Sequence, residues 1–209
     1  MFPVSVLFRG SIANKSTALY SSGIGRSVAA LYAKEGADIT IVYLPVEEED
    51  AQETKRLVEA EGRHCLLLSG DLRDRGFCKQ AVDSHVQKYG HINILVNNAS
   101  QQFSCPDLAQ INLDTVADVF QTNIIQMFAM TKFSLPHMSK GDSIINNTSV
   151  TAFRGTGSMV DYASTKGAIV GFTRSAALQL IPKGIRVNAV AYVFTLNTLL
   201  HISPVWCWY

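Results

Sequence analysis

The chain has 209 residues, of which 47% are hydrophobic and 17% are charged, values typical of a folded globular protein. We expect residues 1–209 to form one α/β domain, because this length supports a single continuous core. With 18 basic and 17 acidic residues the net charge is +1, which disfavours binding to nucleic acid or to an anionic membrane and favours a small-molecule ligand.

Helix-like and strand-like segments alternate along the chain. Residues 24–35 repeat apolar side chains every three or four positions, which predicts a helix that Gly36 ends. The β-branched run "ADITIVYL" then predicts a buried parallel strand. Further helices are predicted at 47–62, 74–90, 113–138 and 159–180, and further strands at 63–71, 92–100, 142–150 and 184–192.

This alternation predicts a doubly wound parallel sheet with helices on both faces. Such sheets bind ligands outside the carboxyl ends of their strands, where the strand order reverses. We therefore expect the chemistry just after Val42, Ser69, Val96, Thr148 and Ala191.

The first strand is harder to place from the sequence. "SIANKST" is a poor buried strand, because it has few apolar or β-branched residues. The first strand is therefore either short, formed from "TALY", or displaced to "VSVLF".

Tyr162 and Lys166 are four residues apart on a predicted helix, so their side chains share one face. An ammonium beside a phenol favours the phenolate and lowers the pKa of the tyrosine, which makes it a usable general acid or base. Ser149 ends the preceding predicted strand, where its hydroxyl can hydrogen-bond a carbonyl or alkoxide oxygen. The three residues predict a proton-transfer site.

Four segments occur in the order typical of the short-chain dehydrogenase/reductase family: "NNAS" at 97–100, "TNI" at 122–124, "IINNTSV" at 144–150 and "DYASTKGAIVGFTRSAALQL" at 161–180. The chain resembles this family over residues 21–191 and looks closest to its glucose and ribitol dehydrogenase-like subgroup. The resemblance implies a Rossmann-type sheet. It also implies hydride transfer between NADP or NAD and a carbonyl or alcohol group of a sugar, polyol, aldehyde or cyclic ketone.

The resemblance also implies catalytic roles for four residues. Tyr162 is the acid/base, Lys166 lowers its pKa and holds the nicotinamide ribose, and Ser149 orients the substrate. Asn123 places the water of a proton relay. An alternative for Asn123 is a structural asparagine that kinks the helix or satisfies backbone groups.

Cofactor contacts follow from the same resemblance. Asn98 and Ala99 line the adenine and ribose side, although Ser100 replaces the usual glycine, and Asp71 and Leu72 contact adenine. Asp71 alternatively caps the helix that follows it.

The resemblance places part of a glycine-rich phosphate turn at Ser22, Gly23, Ile24 and Gly25. Leu19 stands where the family has the first glycine, and a β-carbon there strains the tight turn. We therefore expect nucleotide binding to be weakened but not lost.

Tyr43 stands where an acidic residue would bind the ribose hydroxyls of NAD. Since no carboxylate occupies this position to repel a 2′-phosphate, we expect NADP ahead of NAD, although no arginine that could bind the phosphate is evident from the sequence.

The carboxyl-terminal end departs from the family, because Tyr192 and Val193 stand where proline and glycine are expected. Residues 192–209 form an atypical tail, and the family's last strand and substrate lid are expected to be missing. An alternative function is therefore a catalytically impaired family member that acts as a binding or regulatory partner. The family also implies a homo-oligomer formed through the helices around Asn123 and Tyr162.

Cys65, Cys78, Cys105 and Cys207 are far apart, with no CxxC pair and no histidine at metal-ligand spacing. We expect reduced thiols in a cytosolic protein and no bound metal. The start "MFPVSVLFR" does not resemble a signal peptide, and polar residues interrupt the uncharged tail, so no membrane span is predicted.

Overall fold

The computed structural model describes residues 4–9 and 22–192, with side chains from residue 24 onward. Within these residues six strands form one sheet: β1 Val4–Arg9, β2 Ala37–Tyr43, β3 Cys65–Ser69, β4 Ile94–Asn97, β5 Ser143–Ser149 and β6 Arg186–Tyr192. All paired strands are parallel, in the order β3-β2-β1-β4-β5-β6. The order reverses between β1 and β4, as in a Rossmann-type fold, and the predicted fold class is confirmed.

The helices connect successive strands. They are α1 Ser22–Lys34, α2 Glu48–Ala60, α3 Arg75–Tyr89, α4 Leu113–Phe120, α5 Gln126–Ser134, α6 Thr151–Arg154 and α7 Val160–Leu180. A π-helical segment, Gln121–Ile125, joins α4 to α5, so the predicted helix at 113–138 is one helical stretch with a local change of pitch. No helix within residues 22–192 is both long and apolar enough to cross a bilayer.

The first strand among the described residues is the displaced one, "VSVLFR". Its residues pair with β2 on one side and β4 on the other, with Val6 opposite both Ile39 and Ile94. "TALY", Leu19 and the tail beyond Tyr192 lie outside the described residues. The predictions made for them therefore stay predictions.

The sheet is packed on both faces because alternate strand residues point in opposite directions. On one face Ile39 and Ile41 of β2 pack with Ala29 of α1 and Val58 of α2. The other face belongs to a core shared with α3, α5 and α7, whose buried members include Leu95, Ile144, Val82, Met130 and Leu180. The strand ends that carry polar residues are therefore held on a rigid scaffold.

His85 of α3 is fully buried in this second layer. Its Nδ1 lies 2.7 Å from Thr40 Oγ1, and its Nε2 lies 3.1 Å from the His91 carbonyl oxygen. The network assigns the proton to Nε2, which donates to that carbonyl, while Nδ1 accepts from the threonine. Burial lowers the pKa of His85 to about 4, so the ring is neutral in the folded protein at pH 7.

We predict that His85 lowers the free energy of unfolding as the pH drops from about 6.5 to about 4. The unfolded chain binds a proton there with a pKa of about 6.5, while folded His85 does not, so the unfolded state binds more protons. The free energy of unfolding should drop by about 2 kcal/mol from pH 7 to pH 5 through this residue. Urea titrations at both pH values should show a smaller drop in His85→Gln. His137→Gln is the control. If the free energy of unfolding drops as much between the two pH values in His85→Gln as in His137→Gln, the prediction is wrong.

Candidate active site

Polar side chains meet at the carboxyl end of the sheet, on either side of the junction between β4 and β5. Asn98 follows β4, and Ser149 is the last residue of β5. Asn147 Nδ2 donates to Asn98 Oδ1 over 2.7 Å, which joins the two strand ends. The predicted site therefore lies at the edge where a doubly wound sheet binds its ligands.

Ser149 and Tyr162 face each other across this edge. Ser149 is largely buried at the end of β5, and Tyr162 lies in the first turn of α7. Burial raises the pKa of the Tyr162 phenol, and a hydrogen bond from the Ser149 side chain lowers it. Since burial is the larger effect, the phenol keeps its proton at neutral pH.

Lys166 lies one helical turn after Tyr162, and its side chain is only 1% exposed. Its Nζ donates to the Asn147 carbonyl oxygen over 2.9 Å and lies 5.3 Å from the centre of the Tyr162 ring. Burial lowers the pKa of Lys166 to about 7. The structure thus brings Ser149, Tyr162 and Lys166 together as the sequence predicts.

The pKa of Tyr162 differs from the sequence-based prediction. The sequence predicts that the neighbouring Lys166 ammonium lowers the pKa of Tyr162 towards neutrality, whereas this pKa is raised. The reason is that both groups are buried, and the Lys166 Nζ donates to a backbone carbonyl of β5. The four-residue spacing predicts that Tyr162 and Lys166 are close together, but it does not show that both side chains are buried.

Asn123 lies in the π-helical segment and has no exposed surface. Its Oδ1 accepts from the Gln101 amide over 2.7 Å, while its Nδ2 donates to the Gln101 carbonyl at 2.9 Å and to Thr165 Oγ1 at 3.0 Å. Both amide donors are therefore used within the protein. Asn123 thus satisfies backbone groups, as the structural alternative predicts. Its part in a water relay stays a prediction.

The start of α1 holds the described part of the predicted phosphate turn. Ser22 and Gly23 open the helix, Ile24 is partly buried and Gly25 is buried. The amides of a first helical turn have no partners within the helix, so this end attracts an anion. The part that these four residues play in phosphate binding stays a prediction.

Charged groups that the sequence did not predict surround the end of β2. The Tyr43 hydroxyl donates to Glu48 Oε2 over 2.6 Å, so a carboxylate does lie beside Tyr43. Arg26 Nη2 pairs with Asp50 Oδ1 at 2.5 Å. The Arg26 Nε is buried without a hydrogen-bond partner among the described residues. Arg26 directly follows Gly25, but only the packing of α1 against α2 shows that it lies here.

The remaining predicted cofactor contacts are Asp71, Leu72, Asn98 and Ala99. The Asp71 carboxylate accepts a hydrogen bond from the Arg73 backbone amide and pairs with the Arg73 guanidinium. The N-cap of α3 is Asp74 rather than Asp71. Leu72 is 2% exposed and packs in the core. Its predicted adenine contact stays a prediction. Asn98 and Ala99 are buried at the end of β4.

A groove of about 350 Å³ lies along β6, away from this cluster. Its lining includes Tyr32, Ile145, Arg186 and Asn188, and does not include Ser149, Tyr162 or Lys166. This groove is therefore separate from the cluster of Ser149, Tyr162 and Lys166.

The chain is similar to known proteins in sequence and in fold. The family model described as short chain dehydrogenase matches residues 20–201. The uncharacterized oxidoreductase YhxC of Bacillus subtilis is 52% identical over 170 residues, which cover 81% of this chain and 59% of that protein. The NADPH-dependent aldehyde reductase 1, chloroplastic, of Arabidopsis thaliana is 44% identical over 175 residues, covering 81% of this chain and 61% of that protein.

Among solved structures, a short chain dehydrogenase from Burkholderia cenocepacia in complex with NADP superposes with a TM-score of 0.81. It is 29% identical and covers 90% of this chain and 73% of its own. The chain spans less than two thirds of the length of the curated relatives it matches.

Proposed function

The chain belongs to the short-chain dehydrogenase family, and from this we propose that it is an NAD(P)-dependent oxidoreductase that interconverts a carbonyl group and an alcohol on a small molecule. The observation that carries the proposal is the meeting of Ser149, Tyr162 and Lys166 at the carboxyl end of β5. A hydroxyl donor, a protonated phenol and a buried amine are the groups that carbonyl reduction needs.

In reduction, Tyr162 gives its phenolic proton to the carbonyl oxygen of the substrate. Its raised pKa keeps that proton on the phenol at neutral pH. Ser149 donates a hydrogen bond to the same oxygen and stabilises the negative charge that develops there. Lys166 stabilises the phenolate that remains, since its charge lies close to the ring. When bound, the nicotinamide cofactor supplies the hydride for reduction and takes it in the reverse direction.

The described residues fit such a cofactor. Lys166 Nζ has one hydrogen-bond acceptor among the described residues, and an ammonium carries three donors, so two are left for ribose hydroxyls. The first turn of α1 suits a pyrophosphate. Arg26, whose Nε has no hydrogen-bond partner among the described residues, is a cation that suits a 2′-phosphate, while Glu48 opposes one. We propose NADP ahead of NAD, in line with the names of the Arabidopsis and Burkholderia relatives.

The substrate class that we propose is a sugar, polyol, aldehyde or cyclic ketone. An aldehyde is supported by the name of the Arabidopsis relative. We also propose a cytosolic location, because Cys65, Cys78 and Cys105 are free thiols.

We predict that Tyr162→Phe lowers kcat for NADPH-dependent reduction of aldehydes and cyclic ketones by about 100-fold or more, since it removes the proton donor. Turnover is followed by NADPH absorbance. Tyr89→Phe is the control, because Tyr89 ends α3 and its hydroxyl donates to the Ile39 carbonyl of β2. Equal turnover in Tyr162→Phe and wild type would contradict the mechanism. A wild type that NADPH stabilises against heat, but that turns over no carbonyl, would favour the binding-partner alternative.

We predict that Arg26→Gln raises the Kd of NADPH by about tenfold and leaves that of NADH nearly unchanged, because only NADPH carries a 2′-phosphate. Both constants are measured by calorimetry. Arg56→Gln is the matched control, since Arg56 is exposed and pairs with Glu53 on α2. Equal weakening of both nucleotides would show that Arg26 does not contact the 2′-phosphate.

We propose that the protein forms a homo-oligomer through α5 and α7. Phe128 is 53% exposed, and its ring stands edge-on against Phe172 of α7 with the ring centres 4.6 Å apart. Ile125 is exposed nearby. Exposed apolar side chains grouped on two helices are typical of an interface.

The expected result of Phe128→Glu is a smaller species by light scattering after size exclusion, because it places a charge in the proposed contact. Leu31→Glu on α1 is the control, since Leu31 is exposed on another helix. A mass that stays the same in Phe128→Glu would exclude this surface as the interface.

A further inference from the structure

We propose that Thr151 is a positioning residue that sets the direction in which Ser149 donates its hydrogen bond. Thr151 is the first residue of α6, two positions after Ser149. The inference rests on the proposed function, because it concerns how Ser149 is prepared for a carbonyl oxygen.

Two contacts join the residues. The Thr151 backbone amide donates to Ser149 Oγ over 3.2 Å, and Thr151 Oγ1 donates to the same oxygen over 3.0 Å. The amide contact needs only the backbone turn, whereas the second needs the threonine hydroxyl. The side chain of residue 151 therefore decides whether Ser149 Oγ receives one hydrogen bond or two.

A serine hydroxyl has one donor and two acceptor lone pairs. With both lone pairs occupied by Thr151, Ser149 can form a further hydrogen bond only as a donor. The Tyr162 phenol can accept this hydrogen, in keeping with the lowering of the Tyr162 pKa by the Ser149 side chain. A substrate carbonyl oxygen, which only accepts, would take the same hydrogen. Thr151 thus holds Ser149 in the polarity that an oxyanion requires.

Without the Thr151 hydroxyl, Ser149 Oγ has a free lone pair. The Tyr162 hydroxyl can then donate to Ser149, which turns the phenolic proton away from the substrate. The other charged groups beside Tyr162 stay in place in such a variant: Lys166 one turn along α7, and Asp161, whose Oδ1 accepts from the Tyr162 amide. A change in Tyr162 is therefore attributable to Ser149.

The first test follows Tyr162 in the resting protein by NMR with tyrosine labelled at Cζ, using Tyr162→Phe to assign its signal. We expect Thr151→Val, which keeps the branched shape, to raise the pKa of Tyr162 as Ser149→Ala does. The double variant should raise it no further. Thr151→Ser should behave as wild type. An unchanged Tyr162 titration in Thr151→Val, and in Thr151→Ala as a second variant without the hydroxyl, would overturn the inference.

The second test measures carbonyl reduction by the same proteins. Thr151→Val should lower kcat by about tenfold with KM changed less than about twofold, and Thr151→Ser should restore kcat. In the Ser149→Ala background, Thr151→Val should have no further effect. An equal loss in both backgrounds would show a general structural role and would overturn the inference. If the wild type reduces no carbonyl, the proposed function fails, while the Tyr162 titration still decides the role of Thr151.

Discussion

The position of Lys166 against β5 is the constraint on which the site depends. Its amine is buried and donates to the Asn147 carbonyl, while its own carbonyl accepts from Thr148 Oγ1 over 2.8 Å. These two bonds run in opposite directions between α7 and β5, and they fix the helix along the strand. Tyr162, one turn earlier on α7, is thereby held opposite Ser149 at the end of the strand.

The sheet edge that receives this helix is tied together by asparagine pairs. Asn97 Nδ2 donates to Asn146 Oδ1 over 2.9 Å, and Asn146 Nδ2 donates to Thr173 of α7 over 2.9 Å. Asn147 points to the opposite face of β5, where it bonds Asn98. Amides that pair across the two strands in this way favour one register between β4 and β5. The carbonyl that holds Lys166 belongs to one of these residues, so sheet register and amine position are linked.

Burial affects the groups around Tyr162 differently from the groups around Tyr43. Around Tyr162 and Lys166, burial favours the uncharged form of both groups, which leaves a phenol with its proton beside an amine with a pKa of about 7. Around Tyr43, the charged groups Glu48, Arg26 and Asp50 are at least partly exposed, and solvent screens them. The groups around Tyr162 therefore suit the proposed proton transfer, and those around Tyr43 suit the proposed recognition of a charged cofactor.

The sequence by itself determined the alternating elements, the parallel sheet and the meeting of Ser149, Tyr162 and Lys166. These follow from local periodicity, from a spacing of four residues on a helix and from the common direction of parallel strands. Only the tertiary structure decided that β1 is Val4–Arg9, that Arg26 and Glu48 lie beside β2, that Asn123 binds Gln101 and that the pKa of Tyr162 is raised. Strand pairing, the Arg26–Asp50 and Asn123–Gln101 contacts and the burial of Tyr162 all depend on residues far apart in the chain, which leave no local pattern. The Tyr43–Glu48 bond spans only five residues, but it depends on how the chain turns from β2 into α2.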